Sequence, residues 1–295
     1  MPGDDPRVGS LNDDPVEVFI MLALTFRVVD AVWQAVAPLL PERPVDAHPL
    51  GCHRRRIPDR DCFEAILFRL VTGCSWDVAG RLGKGGETTL RSRRDQWVRA
   101  GVFDRLADEA LAGYDRIVGL DLSEVAVDAS LNKAPCGGEG TGRNPVDRGK
   151  SGWKWSISTD RAGIPLGWAV APANRNDCIL LAPTLDAVAQ RGLLAEVETL
   201  HLDRGYDYPF IRNECRERGL TDLVIPSRRP DGQGRHKRLI PLGLRWPVER
   251  TNSWLTNFGQ LRRNTDRRII HRYAALALAV ALIITIKLIK WANRW

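Results

Sequence analysis

The 295-residue sequence lacks the cysteine patterns of disulfide-rich and zinc-binding proteins. It contains six cysteines, but none occurs as C-x-x-C and none stands beside a histidine in a zinc-finger spacing. These absences argue against a structural zinc site and against a disulfide framework. We therefore expect reduced thiols in a cytoplasmic protein.

The sequence also lacks the segments that would direct the chain into or across a membrane. The apolar run 273–286 is 14 residues long, short of the roughly 20 that span a bilayer, and it predicts a buried helix. Residues 16–26 are apolar but follow acids instead of the basic stretch of a secretory signal. Residues 1–21 predict a disordered leader, and the start codon stays open between Met1 and Met21.

Acidic residues are scarce near the C-terminus. Residues 228–295 contain 15 Lys or Arg and only three acids, Asp231, Glu249 and Asp266. This stretch has a formal charge of +12, and the rest of the chain has −5. A basic third suggests a polyanionic partner, and nucleic acid is the commonest soluble one. Glu249 stands between Arg245 and Arg250 in "RWPVERTNSW", where a lone carboxylate needs a specific reason.

The first half of the chain has helical periodicity. Apolar residues in 27–40 and in "DCFEAILFRLVTG" recur at helical spacing, and Gly73 is a natural helix C-cap. A short helix from Ser75, a glycine turn and a polar helix at 87–99 have the layout of a helix-turn-helix, with Arg91 and Arg94 predicted to contact DNA. The alternative is a surface helix of a bundle that touches no DNA. The predicted DNA-binding domain covers 22–118.

From residue 119 the pattern changes to short strands and helices. Strand-like runs occur at 125–129, 153–160, 164–171, 198–203 and 222–227, with helical patterns at 178–191 and 208–218. This order predicts an α/β domain over 119–295, preceded by the all-helical DNA-binding region. The basic, glycine-rich loops at 132–152 and 228–238 predict contact with an anion or, equally well, a solvated surface.

Three carboxylates are placed for chemistry. Asp128 and Asp203 each follow a predicted strand, where functional groups gather in open α/β sheets. Either Asp alone also fits a turn-forming residue. Glu249, on a predicted helix, completes a possible metal-binding set of oxygen ligands, which suits Mg²⁺ or Mn²⁺ and a two-metal reaction at a phosphodiester.

The strings "VDAS", "LDRGYD" and "RWPVERTNSWLTNFGQLRRNTDRR", in this order, resemble the Asp-Asp-Glu (DDE) transposases of bacterial insertion sequences. The similarity extends from about residue 28 and is greatest to the insertion-sequence-five-like family of actinobacterial type. It implies a ribonuclease-H-like mixed sheet flanked by helices. It also implies that Asp128, Asp203 and Glu249 are catalytic residues that bind two Mg²⁺ ions, with Mn²⁺ as a substitute.

The wider group carries a Tyr-x2-Arg-x3-Glu-x6-Lys signature around its last acid. Arg245 and Glu249 match this signature, whereas Leu242 and Thr256 stand at the Tyr and Lys positions. We expect Arg250, Arg262 or Arg263 to supply the missing charge, and Arg245 and Arg250 to orient Glu249 or hold phosphate.

Other polar residues allow two interpretations. Asp177 predicts an N-cap for the helix at 178–191, or a side chain directed to the metals. Lys154 belongs to a group of cations that we expect near the 132–152 loop. Trp153 and Trp155 alternate along one strand, so we expect both to pack on the same face of the sheet, with base stacking as the alternative.

Together these features predict a transposase that cleaves and joins double-stranded DNA at transposon ends and at a target. Pairing two DNA ends leads us to expect a homo-oligomer, and we expect no membrane partner. Two alternatives stay open. One is a DNA-binding relic or helix-turn-helix regulator without catalysis, and the other is a nuclease of the same fold that does not transfer strands.

Overall fold

The computed structural model describes residues 24–42, 56–82, 85–226 and 245–294. The predicted leader at 1–21, the basic loop at 228–238 and Leu242 lie outside these residues.

The first part of the chain is helical, as predicted. Its helices are α1 (Phe26–Val36), which continues into a 3-10 turn at Ala37–Leu39, then α2 (Asp59–Thr72), α3 (Trp76–Leu82), α4 (Glu87–Arg99) and α5 (Val102–Ile117). The C-cap prediction at Gly73 is confirmed, because α2 ends there in the left-handed region at φ 72°. A Cβ atom at Gly73 would lie 2.7 Å from the Gly259 carbonyl carbon, so only glycine lets these backbones approach.

A mixed sheet follows, with six strands in the described part of the chain. They are β1 (Glu124–Lys133), β2 (Gly142–Arg143), β3 (Ser151–Thr159), β4 (Pro165–Pro172), β5 (Thr199–His201) and β6 (Asp222–Val224). β1 pairs antiparallel with β3, and β3 with β4 and β2, whereas β1, β5 and β6 run parallel. The order β4-β3-β1-β5-β6 is the ribonuclease-H-like arrangement that the resemblance implied.

Helices cover the sheet. These are α6 (Cys178–Gln190), α7 (Pro209–Glu217), α8 (Trp246–Thr256), α9 (Gly259–Arg262) and α10 (Ile269–Ala292). α6 packs on β4 and β3, and α8 packs on β1 and β3. Trp153 and Trp155 are fully buried on β3 with their ring centroids 5.2 Å apart, so the packing prediction for them is confirmed.

One apolar core joins the helical region to the sheet region. It runs from Val28 and Phe63 in the first helices to Val127 in the sheet and Leu278 in α10, without a break between the two parts. Among the described helices, α10 is long and apolar enough to cross a membrane, but 67% of its most apolar window is buried inside the protein. The predicted buried helix at 273–286 is therefore confirmed as part of α10.

A buried ion-pair network around Asp266 fastens the two parts together. Asp266, in the loop before α10, accepts hydrogen bonds from Arg94 Nη1 at 3.0 Å, Arg69 Nη2 at 3.3 Å and Gln260 Nε2 at 2.8 Å. Burial alone would raise the pKa of Asp266, but Arg69 and Arg94 hold it at about 2.

The prediction that Arg94 contacts DNA is wrong in this structure. Arg94 is only 8% exposed, and its guanidinium pairs with Asp266 and with Asp95. A polar residue at this helix position looks solvated in the sequence, because its acidic partner stands 172 residues away.

Candidate active site

Asp128 lies on the central strand β1 and is held by a chain of hydrogen bonds. Asn252 Nδ2 on α8 donates to Asp128 Oδ2 at 2.9 Å, and Trp155 Nε1 donates to Asn252 Oδ1 at 2.8 Å. Because an indole N–H only donates, it fixes the amide oxygen of Asn252 toward Trp155 and its NH₂ group toward Asp128. The orientation of this carboxylate is thus set by two elements of the core.

The environment of Asp128 disfavours its negative charge. Burial raises the pKa of Asp128 and the nearby Asp203 raises it further, whereas Arg245, Asn252 and the Ala129 backbone N–H lower it; the net shift is upward. A buried carboxylate without full compensation is a suitable place for a cation.

Asp203 lies beside Asp128 because of strand register. Ala126 of β1 pairs with His201 of β5, and each aspartate follows its paired residue by two positions. Two residues further along neighbouring parallel strands, side chains point to the same face of the sheet. Gly205 N donates to Asp203 Oδ1 at 2.5 Å, which fixes this carboxylate at the start of a 3-10 turn.

Glu249 lies on the first turn of α8 and is half exposed. Its Oε1 atom is 3.0 Å from Arg245 Nη2, and the same arginine lowers the pKa of Asp128. Arg245 therefore acts electrostatically on both acids. Within the described ranges no three His, Cys, Asp or Glu side chains are close enough to share one ion.

The carboxylate of Asp177 and the buried side chain of Tyr206 lie close to Asp128 and Asp203. Burial raises the pKa of Tyr206 well above its usual value, and the negative charges of Asp177, Asp128 and Asp203 add to the shift. Lys154 Nζ donates to Asp177 Oδ1 at 2.5 Å and to the Arg175 carbonyl at 2.7 Å.

Two predictions about these residues are corrected. Asp177 precedes α6 but makes no side-chain cap, because Lys154 holds its carboxylate; Asn176 Oδ1 accepts from the Cys178 N–H at 3.0 Å instead. Lys154 is a strand residue only 4% exposed, not a cation of the loop. The sequence interpretation also missed Asn252, for which the signal was its position three residues after Glu249, on the same side of the helix.

The other predicted DNA contacts differ in exposure. Arg91 is exposed and pairs with Glu87 within α4. Arg262 and Arg263 are exposed, and Arg263 forms a backbone bridge with Lys133 at the end of β1. Arg250 is half-buried and donates to the Ala162 carbonyl at 2.7 Å. Thr256, at the position of the missing lysine, donates to the Ser253 carbonyl.

Asp128 lies within β1 and not after it as predicted, whereas Asp203 follows β5. Carboxylates on neighbouring chain segments of a ribonuclease-H-like sheet, with exposed arginines nearby, define an enzyme that acts on polynucleotide phosphodiesters. Residues 119–284 match the family model described as "Transposase DDE domain", and residues 28–107 match "Putative transposase of IS4/5 family (DUF4096)". The chain belongs to the DDE transposase family. It is thus a DNA-cleaving and strand-transferring enzyme of transposition, and such domains use divalent metal ions.

Two relatives from Burkholderia cepacia are similar in sequence. The first, "Putative transposase for insertion sequence element IS402", is 38% identical over 48% of this chain and 67% of its own length. The second, "Insertion element IS402 uncharacterized 16.2 kDa protein", is 34% identical over 39% of this chain and 79% of its own length.

Solved structures give only a weak likeness. The "Crystal structure of a pre-cleavage Mos1 transpososome" aligns with 94% of this chain and 97% of its own, at 8% identity and a TM-score of 0.27. The "Crystal structure of the Mos1 mariner paired end complex with Mn" has 10% identity and a TM-score of 0.25. The strand order of this chain, and not this likeness, defines its ribonuclease-H-like fold.

Proposed function

We propose that Asp128, Asp203 and Glu249 hold the divalent ions, Mg²⁺ or Mn²⁺, with which this transposase cleaves DNA at transposon ends and joins it to a target. The supporting observation is that Asp128 and Asp203 each stand two residues beyond Ala126 and His201, which pair across neighbouring parallel strands. Both offer oxygen ligands, which suit Mg²⁺. When bound, the ions supply activation of a water or 3′-hydroxyl and offset charge on the leaving oxygen.

The surrounding residues of the chain would prepare this site. Asn252 holds the Asp128 carboxylate in one orientation through a hydrogen bond. Arg245 holds the Glu249 side chain through an ion pair at the start of α8. For Glu249 to join the two aspartates, its ion pair with Arg245 must open. Arg245 would then be free to hold a DNA phosphate, so one exchange of partners would couple DNA arrival to completion of the site.

Cleavage of a labelled duplex that carries the element's own ends tests this proposal. We expect wild-type protein to cut with Mg²⁺ and not with EDTA, to form joined products, and Glu249→Gln to do neither. Glu214→Gln is a matched control, because Glu214 is also a helical glutamate paired with an arginine at a spacing of four residues, Arg218. Tight binding by wild type without any cleavage in Mg²⁺ or Mn²⁺ would instead support the DNA-binding relic.

We also propose that the helical region at 22–118 binds double-stranded DNA through the exposed face of α4. Thr88, Arg91, Ser92 and Arg99 are exposed on this helix, while Leu90 and Trp97 face the core. A row of hydroxyl and guanidinium groups can contact phosphates and base edges. The pairing of two DNA ends would need a homo-oligomer, and we expect it to act in the cytoplasm, on the nucleoid.

Removal of the exposed Arg262 and Arg263 charges should weaken DNA binding without regard to sequence. Because each phosphate contact releases counterions, the double change to Gln should lower the slope of log affinity against log salt by about two. Fluorescence anisotropy at several salt concentrations measures this slope. Arg216→Gln, an exposed arginine on α7, should leave it unchanged. An unaltered slope in the double variant would remove these two residues from the DNA interface.

A further inference from the structure

Aromatic and cationic side chains alternate along one face of α8. Trp246, Arg250 and Trp254 follow each other at intervals of four residues, so they share a helix face. The Arg250 guanidinium carbon lies 4.3 Å from the centre of the Trp246 ring and 4.7 Å from that of Trp254. Lys287 Nζ of α10 lies 4.5 Å from the Trp254 ring centre. We call these four residues the tryptophan ladder.

The two cations of the ladder are fixed in place by a neutral group. Arg250 Nη2 donates to the Ala162 carbonyl at 2.7 Å, and Lys287 Nζ is 3.3 Å from the same oxygen. Neither cation forms a salt bridge with a carboxylate of the described residues, although the buried Asp160 attracts both from further away. The ladder therefore combines aromatic surface with positive charge that is only partly offset, which suits a nucleotide.

The two rings of the tryptophan ladder differ in how far cations cover them. Lys287 and Arg250 both cover Trp254, whereas Trp246 is 56% exposed and has only Arg250 against its ring within the described part of the chain. Among the exposed large apolar residues of the described part of the chain, Trp246 is the most exposed aromatic side chain. It stands three residues before Glu249, one helical turn from that carboxylate.

We propose that Trp246 stacks on an unpaired DNA base, with Arg250 and Lys287 attracting the phosphate that adjoins it. This inference rests on the proposed function, because it places a single-stranded nucleotide beside Glu249. Stacking tolerates any base, since every base has a π-face, and so it would hold a strand end without selecting its sequence. Arg250 would also hold the ring of Trp246 in place, because its guanidinium lies against that ring.

A binding experiment in EDTA tests the stacking site separately from cleavage. The probe is a duplex with a short single-stranded 3′ extension that carries 2-aminopurine as its first unpaired base, and a blunt duplex serves as reference. We expect wild type to quench the 2-aminopurine emission. Trp246→Ala should lose this quenching and bind the extended duplex about tenfold more weakly, while its affinity for the blunt duplex stays within about twofold.

Two further variants make the result specific. Trp246→Phe should keep the quenching and most of the preference for the extended duplex, because a phenyl ring also stacks. Phe210→Ala removes another aromatic side chain of similar exposure, 55%, and should behave as wild type. Equal binding of both duplexes by wild type, or an equal loss of both by Trp246→Ala, would overturn the stacking site. Failure of wild type to cleave in Mg²⁺ would count against the metal site alone.

Discussion

Asp128→Asn should abolish DNA cleavage while DNA affinity stays near that of wild type. We expect a loss of at least about a hundredfold to a thousandfold, the loss that follows removal of one group that stabilises transition-state charge. The substitution removes a proposed ligand charge but keeps an oxygen that can accept from Asn252 Nδ2. The local hydrogen bonds and the surfaces proposed to bind DNA therefore stay in place, and only the proposed metal site is lost.

The same substitution should not destabilise the metal-free protein. Because burial raises the pKa of Asp128 in the folded state, its ionised form opposes folding above the unfolded pKa, and a neutral amide removes this cost. In EDTA at neutral pH, the thermal midpoint of Asp128→Asn should equal or exceed that of wild type. Mg²⁺ should raise the wild-type midpoint by binding the folded state and should leave the variant unchanged.

A control is needed for the loss of one aspartate. Asp186→Asn changes an exposed carboxylate on α6 that pairs with Arg218, and we expect it to cleave normally. Measurement of single-turnover cleavage, anisotropy and thermal unfolding on the same samples separates the possible causes. Cleavage by Asp128→Asn at the wild-type rate would eliminate Asp128 as a catalytic residue, and loss of DNA binding would place it in the DNA interface instead.

The sequence predicted the parts of the fold that depend on local pattern. The strands around Asp128 and Asp203 were predictable because apolar residues lead into each acid, and Gly73 because a left-handed C-cap requires glycine. The strand pairing that puts the acids side by side followed from the family resemblance. Local pattern alone left each Asp open to a turn-forming role.

The contacts that join distant segments were not predictable in this way. Arg94 and Lys154 were expected at the surface because cations are seldom buried, yet each has an acidic partner that folding brings near, Asp266 and Asp177. The composition of residues 228–295 marked Asp266 as one of three acids there, but it gave no sign of its role. Identifying such partners requires the three-dimensional arrangement.

Asp266→Asn should be the most destabilising of these changes, by about 3–5 kcal/mol, because it leaves buried charges without their partner. Arg69 and Arg94 are 5% and 8% exposed and both donate to the Asp266 carboxylate. Equilibrium urea unfolding measures the change. Asp77→Asn breaks an exposed ion pair with Arg81 and should cost no more than about 0.5 kcal/mol. A similar small cost for Asp266→Asn would contradict the structural role.

The pH dependence gives a second signature of the Asp266 network. Because the folded pKa of Asp266, about 2, lies below the usual value of 3.8, its stabilisation is present above about pH 4. It should be lost as the pH falls from about 4 to about 2, and the Asn variant should lack this part of the acid transition. The network ties α2 and α4 to the loop before α10. If α4 binds DNA as proposed, loss of the network should also weaken this binding, although the exposed side chains of α4 are unchanged. Substitution of apolar residues for Asp266, Arg69 and Arg94 together should recover part of the lost stability, because the two buried arginines would then no longer lack their carboxylate partner.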